Sequence, residues 1–379
     1  MNKNNSIAEI ILTRKTTGFS FDLEEKIDLI KKKGFNKIKF TYPFPSQTKD
    51  YVSLVEVASQ LIRIKNYIKR KGLKVLTGEV ENNPYLPKKS FLNIKKSKLE
   101  INFKKFNQKS KISVVIPTHN KKNSLKLVCQ SFFNQNYLQS GYEIIIIDDG
   151  SKDGTKEMIK KLKPTCNLKY FYWPRTKTRE NKWSKFYNRA GLSRNIGIKH
   201  SEGKIILFND SDILVKKDCL KRHDQHHDRY NNIIVRGFRM FLPEGIKDLK
   251  KAKAEKNKKE ISLHCRMHDL SKEGWQRIVT SNISLRKKYL DEIGGFDKNF
   301  CFWGSEDIDL GYRLSKLNLK FIWDSKIKVY HYWHPGYSDI DRITLFWIGD
   351  NLLYRKYLDE NILKIHTKDA ILRHLDECI

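Results

Sequence analysis

Four short polar segments in this chain carry residue types that could do chemistry together. Asn209-Asp210-Ser211-Asp212 ends a hydrophobic run, Pro117-Thr118-His119-Asn120 and Asp148-Asp149-Gly150-Ser151 precede it, and Trp303-Gly304-Ser305-Glu306-Asp307 follows. Two carboxylates one residue apart at a strand end can reach the same hard divalent cation, directly or through water. Such an ion neutralises the charge that grows on a departing diphosphate. A further carboxylate facing the reacting carbon can take a proton from an attacking hydroxyl. Each segment alone is weak, because an isolated Asp-x-Asp also suits a solvated turn. Their joint presence and order give the pattern its weight.

The elements that must position these residues are legible around them. Ile112-Ser-Val-Val-Ile-Pro117 reads as a buried strand, residues 123–134 as a helix, and Tyr142 to Asp149 as a second buried strand. Continuous β-branched strands separated by helices predict an α/β domain with a mostly parallel sheet covered by helices on both faces. Ligands of such sheets sit outside the carboxyl ends of the strands, where the segments at 117–120, 148–151 and 210–212 fall. Upstream, residues 1–81 alternate strand-like and helix-like stretches and read as a small α/β unit. Residues 82–111 hold Asn82-Asn83-Pro84, Pro87 and many lysines and read as a basic linker. The main domain then spans 112–338. Residues 339–379 read as a helical extension, with Ile343, Phe346, Trp347, Leu352 and Leu353 at roughly helical spacing.

A resemblance becomes specific in five stretches. They are Val114-Val-Ile-Pro-Thr-His-Asn120, Ile146-Ile-Asp-Asp-Gly-Ser-Lys-Asp-Gly-Thr155, Ser193-Arg-Asn-Ile-Gly197, Asn209 to Asp212, and Gly294-Gly-Phe-Asp297 running on to Phe302-Trp-Gly-Ser-Glu-Asp-Ile-Asp-Leu-Gly-Tyr-Arg-Leu314. With these, residues 112–335 resemble a family-two glycosyltransferase of the GT-A fold, a Rossmann-like sheet. The C-terminal half is similar to the galactosyltransferase-like segment of chondroitin-polymerase-type enzymes. The first hundred residues lie outside the resemblance.

The resemblance implies an inverting transfer of a hexose or N-acetylhexosamine from a UDP-sugar to an acceptor hydroxyl. It implies that Asp212 binds the metal while Asp210 contacts ribose or metal-bound water. Asp148 and Asp149 fall at the family's base-recognition position, where a carboxylate can accept the uracil N3 hydrogen. Pro117, Thr118 and Asn120 would line the nucleoside pocket, with Ser151 and Ser211 beside the nucleotide sugar. Arg194 would offer a cation near the base or phosphates, with helix capping as the structural alternative. Asp307 would be the base and Glu306 would orient the acceptor, while Trp303 and Gly304 form the acceptor side, Trp303 as a stacking face. Simple N-capping is the alternative for Asp307. A further metal ligand is expected from His331, directly at the strand end, with His334 close behind; spacing alone does not separate them. An imidazole ligand favours Mn²⁺ over Mg²⁺.

Charge and composition bound the remaining choices. The 379 residues carry 75 Lys plus Arg against 43 Asp plus Glu, a net +32 that favours anionic partners. Sugar-nucleotide phosphates, an anionic or lipid-linked acceptor, and peripheral contact with an anionic membrane all satisfy it, as does a generic lysine-rich surface. No secretory-type N-terminus and no apolar run long enough to span a membrane is present. Six scattered cysteines without Cys-x-x-Cys spacing fit reduced thiols. A cytoplasmic protein, peripheral at most to the inner face of the membrane, is expected, with no specific nucleic-acid partner. His223, His226 and His227 read as the surface of a polar helix, Lys247 to Lys259 as a solvated segment, and His264, Cys265 and His268 as lacking the partners of a zinc site. Two rivals are weaker. A sugar-1-phosphate nucleotidyltransferase should show a Gly-rich loop where Ile116 to Asn120 stands, and a non-catalytic basic binding protein leaves the ordered acidic segments unexplained.

Overall fold

The computed structural model describes residues 7–11, 21–41, 66–76, 92–175, 187–244, 278–302 and 304–334. Short pieces at 255–256, 267–269, 275, 345, 348–349, 352–353, 356–357 and 362 are described as well. Trp303, His264, Cys265 and most of the segments 247–259 and 340–365 lie outside the described residues. The chain divides into two compact units, Met1–Leu86 with Ser338–Ile379, and Pro87–Tyr337.

The first unit contains β1 (Ile7–Ile11), α1 (Phe21–Lys32), β2 (Lys37–Thr41) and β3 (Lys74–Leu76), the three strands forming a parallel sheet in that order. Parallel neighbours need a crossover, and α1 lies between the first two strands in sequence. Ile27, Ile38 and Ile68 are fully buried, as are the helical residues Leu345, Ile348 and Leu353.

The second unit is built on one long sheet. It opens with β4 (Lys98–Phe103) and β5 (Ile112–Thr118), followed by α2 (Lys122–Phe133), β6 (Tyr142–Asp148), α3 (Thr155–Lys160), β7 (Asn167–Tyr172), α4 (Ala190–His200) and β8 (Ile205–Asn209). Then come β9 (Ile213–Val215), α5 (Cys219–Arg229), β10 (Ile233–Phe241), β11 (Glu255–Lys256), β12 (Met267–Asp269) and β13 (Asn282–Arg286). The unit closes with α6 (Lys287–Glu292), α7 (Ser305–Leu314) and β14 (Lys320–His331). The path runs β12-β14-β10-β13-β8-β5-β6-β7-β4, with β11 on β10 and β9 on β14. Strands β8, β5, β6 and β7 are mutually parallel, while β13 runs antiparallel to both β8 and β10.

Both faces of the parallel half are covered. Val114 and Ile116 of β5 share a core with Leu125, Val128 and Phe132 of α2. The intervening Val115 meets α4 on the other face, where a Cβ on Gly197 would lie 2.3 Å from Val115 Cγ1. Every residue of β5 and β6 is buried, which is why they read as unbroken apolar runs.

Two stretches differ from the expectation. Residues 82–111 are more than a lysine-rich linker, because 98–103 form the edge strand β4, paired antiparallel with β7. Its alternation of charged and apolar residues suits an edge with one face in solvent. The α5 histidines are also not all at the surface, for His223 and His227 are buried against β13.

Candidate active site

The sheet delivers the predicted residues to one end of the parallel strands. After β8 the chain makes a tight turn, closed by the Ile213 amide donating to the Asp210 carbonyl at 3.1 Å, and returns as β9. Strand β14 pairs antiparallel with β9, with His331 opposite Ile213, and the Tyr332 amide donates to the Asp212 carbonyl at 2.7 Å. The backbone ladder therefore sets His331 and His334 beside Asp212. Their nearest nitrogen–oxygen separations are 3.9 Å for His331 Nε2 and 3.3 Å for His334 Nε2. One ligand atom from each of the three residues falls within 4.8 Å of the others, a grouping that fits a divalent cation.

The electrostatics agree with that donor set. Burial works against ionisation of Asp212, but the hydrogen bond from His334 and the charges of His331 and Lys121 outweigh it and hold the carboxyl below the usual range. Lys121 Nζ lies 3.5 Å from Asp212 Oδ2. Burial is the main cause that lowers His331, favouring the neutral imidazole that ligates metals. A cleft of about 290 Å³ opens here, lined among others by Lys121, Lys122, Asp153, Asp212, Trp333 and His334.

Asp210 turns elsewhere. Its Oδ1 accepts from Arg194 Nη2 at 2.7 Å, and Arg194 Nη1 lies 4.0 Å from Glu306 Oε1. Arg194 sits inside α4 rather than at its cap and is nearly fully buried, with Nε and Nη1 lacking hydrogen-bond partners. It is the hub that joins the Asp-Ser-Asp turn to the acidic pair of α7. Burial alone would depress its basicity, yet Asp210, Asp307 and Glu306 together raise it.

The α7 pair divides its work. Gly304 is the N-cap residue, at φ +101°, a conformation that favours glycine. Its amide donates to Glu306 Oε2 at 2.7 Å. Asp307 stands at the third helical position and does not cap α7; its two oxygens accept from the Thr280 amide at 3.1 Å and the Thr280 hydroxyl at 2.8 Å. Burial first, then the Asp307 charge, pushes Glu306 up to about 8, and burial raises Asp307 against the pull of Arg194. Ser211 is buried within the Asp-Ser-Asp turn.

At the ends of β5 and β6 the carboxylates are already engaged. Asp148 accepts from the Tyr170 hydroxyl at 2.6 Å and the Ser151 amide at 2.7 Å. Asp149 is gripped by Arg175 Nη2 and Arg189 Nε, each at 2.6 Å. Arg189 is fully buried, its guanidinium 3.6 Å from the Trp173 ring centroid. Asn120, at φ +51°, ties the first two loops together by donating its amide to Ser151 Oγ and accepting from the Lys152 amide, each at 2.8 Å. The Thr118 hydroxyl, next to Pro117 at the end of β5, is buried without a partner. Arg175, Arg189, Lys121 and Thr280 belong to this arrangement and were not singled out from sequence, since no motif spacing marks them.

Family models match this unit of the chain. Residues 113–294 match the glycosyl transferase family 2 model, and residues 262–335 match the one described as the N-terminal domain of galactosyltransferase. The chain is 27% identical over 269 residues to the uncharacterized glycosyltransferase YfnE of Bacillus subtilis (strain 168), covering 60% of this chain and 66% of that protein. It is 25% identical over 308 residues to the chondroitin synthase of Pasteurella multocida (strain Pm70), covering 72% of this chain and 31% of the relative. With the poly(ribitol-phosphate) beta-N-acetylglucosaminyltransferase TarS of Staphylococcus aureus (strain Mu50) it shares 30% identity over 121 residues, 31% of this chain and 19% of TarS. It thus spans less than two thirds of each of these relatives. Among solved structures, S. aureus TarS 1–349 in complex with UDP superposes with a TM-score of 0.49 at 19% identity, covering 68% of this chain and 72% of that one. Residues 113–294 are thus similar to the family 2 glycosyl transferases, and residues 262–335 to a galactosyltransferase-type segment on their C-terminal side.

Proposed function

We propose that the protein is an inverting, metal-dependent glycosyltransferase that moves a hexose or N-acetylhexosamine from a UDP-sugar to an acceptor hydroxyl. The observation that carries this reading is the single buried hub, Arg194, which brings the Asp-Ser-Asp turn and the Glu306–Asp307 pair into one site. Asp307 is held by Thr280 where its carboxylate takes the proton of the acceptor hydroxyl. The acceptor oxygen bonds to the anomeric carbon as the bond to UDP breaks on the opposite face, and UDP leaves with the electron pair. Glu306 orients the acceptor, with Trp303 and Gly304 on the same side.

Asp212, His331 and His334 would hold Mn²⁺, which when bound would supply positive charge against the leaving diphosphate. One carboxylate and two imidazoles suit Mn²⁺ better than Mg²⁺. Asp210 contacts the ribose or metal-bound water while paired to Arg194. Pro117, Thr118, Asn120 and Asp149 line the nucleoside, the unpartnered Thr118 hydroxyl being a free donor there. Asp148 and Ser151 hold the loop that carries Asp149. The net charge of +32 favours an anionic or lipid-linked acceptor and peripheral contact with the inner membrane face of a cytoplasmic protein. No helix among the described residues is long and apolar enough to cross a membrane.

Two variants test the division of labour. Asp212→Ala should abolish both transfer and Mn²⁺-dependent UDP binding. Asp307→Asn should lower UDP-sugar turnover by about 100-fold or more while UDP binding, measured calorimetrically, stays near wild type. Full turnover in either purified variant would refute the role given to that residue.

A further inference from the structure

Behind the Asp-Ser-Asp turn, a buried chain of polar side chains runs from α5 through β13 into β8. His227 Nε2 lies 2.8 Å from Ser284 Oγ, which lies 2.8 Å from His223 Nδ1. His223 Nε2 lies 3.0 Å from Asn282 Oδ1, and Asn282 Nδ2 donates to Asn209 Oδ1 at 3.0 Å. Asn209 Nδ2 then donates to the Asp210 carbonyl at 3.0 Å and the Ile213 carbonyl at 2.9 Å. Those carbonyls bracket the turn that carries Asp212. All five side chains are buried.

The direction of every link follows from the far end. Backbone carbonyls only accept, so Asn209 must present Nδ2 to them and Oδ1 to Asn282. Asn282 must therefore donate with Nδ2, which turns its Oδ1 to His223 and requires a proton on His223 Nε2. A neutral His223 then accepts at Nδ1 from the Ser284 hydroxyl, whose oxygen accepts from His227 Nε2–H. This assignment leaves His227 Nδ1 as a bare lone pair, and that atom is buried without a partner. Burial is the main cause that lowers both rings, His223 to about 4 and His227 to about 3, in keeping with neutral tautomers. Room for the Asn282 amide comes from Gly237, where a Cβ would stand 2.4 Å from Asn282 Oδ1.

We propose that Asn282 is a positioning residue for the metal-binding turn: it fixes the orientation of the Asn209 amide, which clamps residues 210–213 so that Asp212 faces His331 and His334. The role rests on the reading of Asp212 as a metal ligand. In Asn282→Asp the ionised carboxylate has no donor and sets an acceptor against Asn209 Oδ1. The Asn209 amide must then rotate and set its oxygen against the two carbonyls, loosening the turn. Partners behind metal ligands are worth about 10- to 100-fold in metal affinity.

The test is Mn²⁺ uptake in the presence of UDP, followed by loss of the free-ion resonance signal, for the full-length protein and its variants. Asn282→Asp should bind Mn²⁺ about 10- to 100-fold more weakly than wild type. Ser284→Ala breaks the chain two links further back, leaving the His223 bond to Asn282 in place, and should lower the melting temperature with Mn²⁺ affinity near wild type. A network that only knits α5 to the sheet would make the two variants alike in Mn²⁺ affinity, and that result would overturn the proposal. If Asn282→Asp does not fold, Asn209→Ser substitutes: its hydroxyl is too short to reach both carbonyls, so the same weakening is expected and unchanged affinity rejects the role. Equal uptake by wild type and Asp212→Ala would remove the metal reading itself. Normal wild-type uptake matched by Asn282→Asp would remove only the positioning role.

Discussion

Glu306 is a buried carboxylate whose environment strongly favours its protonated form. Its ordinary value of 4.5 rises to about 8, with burial the first cause and the Asp307 charge the second. The folded protein therefore binds more protons than the unfolded chain across that interval, so stability falls as pH rises. This group's contribution is fully present below 4.5 and is lost as pH climbs through about 8. Glu306→Gln keeps the shape and removes the titration. The melting temperature of the variant relative to wild type should consequently increase between pH 5 and pH 8, which differential scanning calorimetry would read; a difference that stays flat with pH contradicts a buried, proton-binding Glu306. Asp307, raised in the same direction, must ionise to act as a base, so the acid limb of transfer should lie above the usual carboxylate range.

Helix α4 seats Arg194 only because Gly197 lets its backbone approach β5. A Cβ there would meet Val115 Cγ1 at 2.3 Å and Ile147 Cδ1 at 3.0 Å. Gly197→Val should cost about 1–3 kcal/mol in denaturant unfolding through overpacking, and should weaken transfer further by tilting Arg194 away from Asp210. Unchanged stability would mean that the helix can withdraw freely. The same strands show what sequence can and cannot reveal. β5, β6 and β8 were legible because burial on both faces demands unbroken Ile, Val and Leu. β4 was hidden by Lys98 and Glu100, which suit a sheet edge as well as a linker. His223 and His227 looked solvated because Asp224, Asp228 and Arg229 surround them, whereas the Ser284 and Asn282 that satisfy them lie about sixty residues away. The acidic motifs were readable as an ordered set, whereas the two candidate histidines came from the resemblance, and spacing did not choose between them. That Asp210 serves Arg194 while Asp212 meets both histidines follows from register between β9 and β14, which no local pattern encodes.

For the whole molecule the excess of 32 positive charges sets how it meets its surroundings. Retention on an anionic matrix should be firm at low ionic strength and should fall steeply as the screening length drops from about 10 Å at 0.1 M salt to about 3 Å at 1 M. Elution that is indifferent to salt would argue against a charge-driven encounter with the acceptor. The order of strands has another consequence. β14, last of the second unit in sequence, lies between β10 and β12 in the sheet and also pairs with β9. A ribosome must release residues up to His334 before β14 can pair with β10 and β9, so a shorter nascent chain leaves one edge of β10 open and lacks the histidines that stand beside Asp212. That edge stays open to pairing with another chain until the last strand of the unit is made, and the Asp212–His331–His334 cluster forms only then.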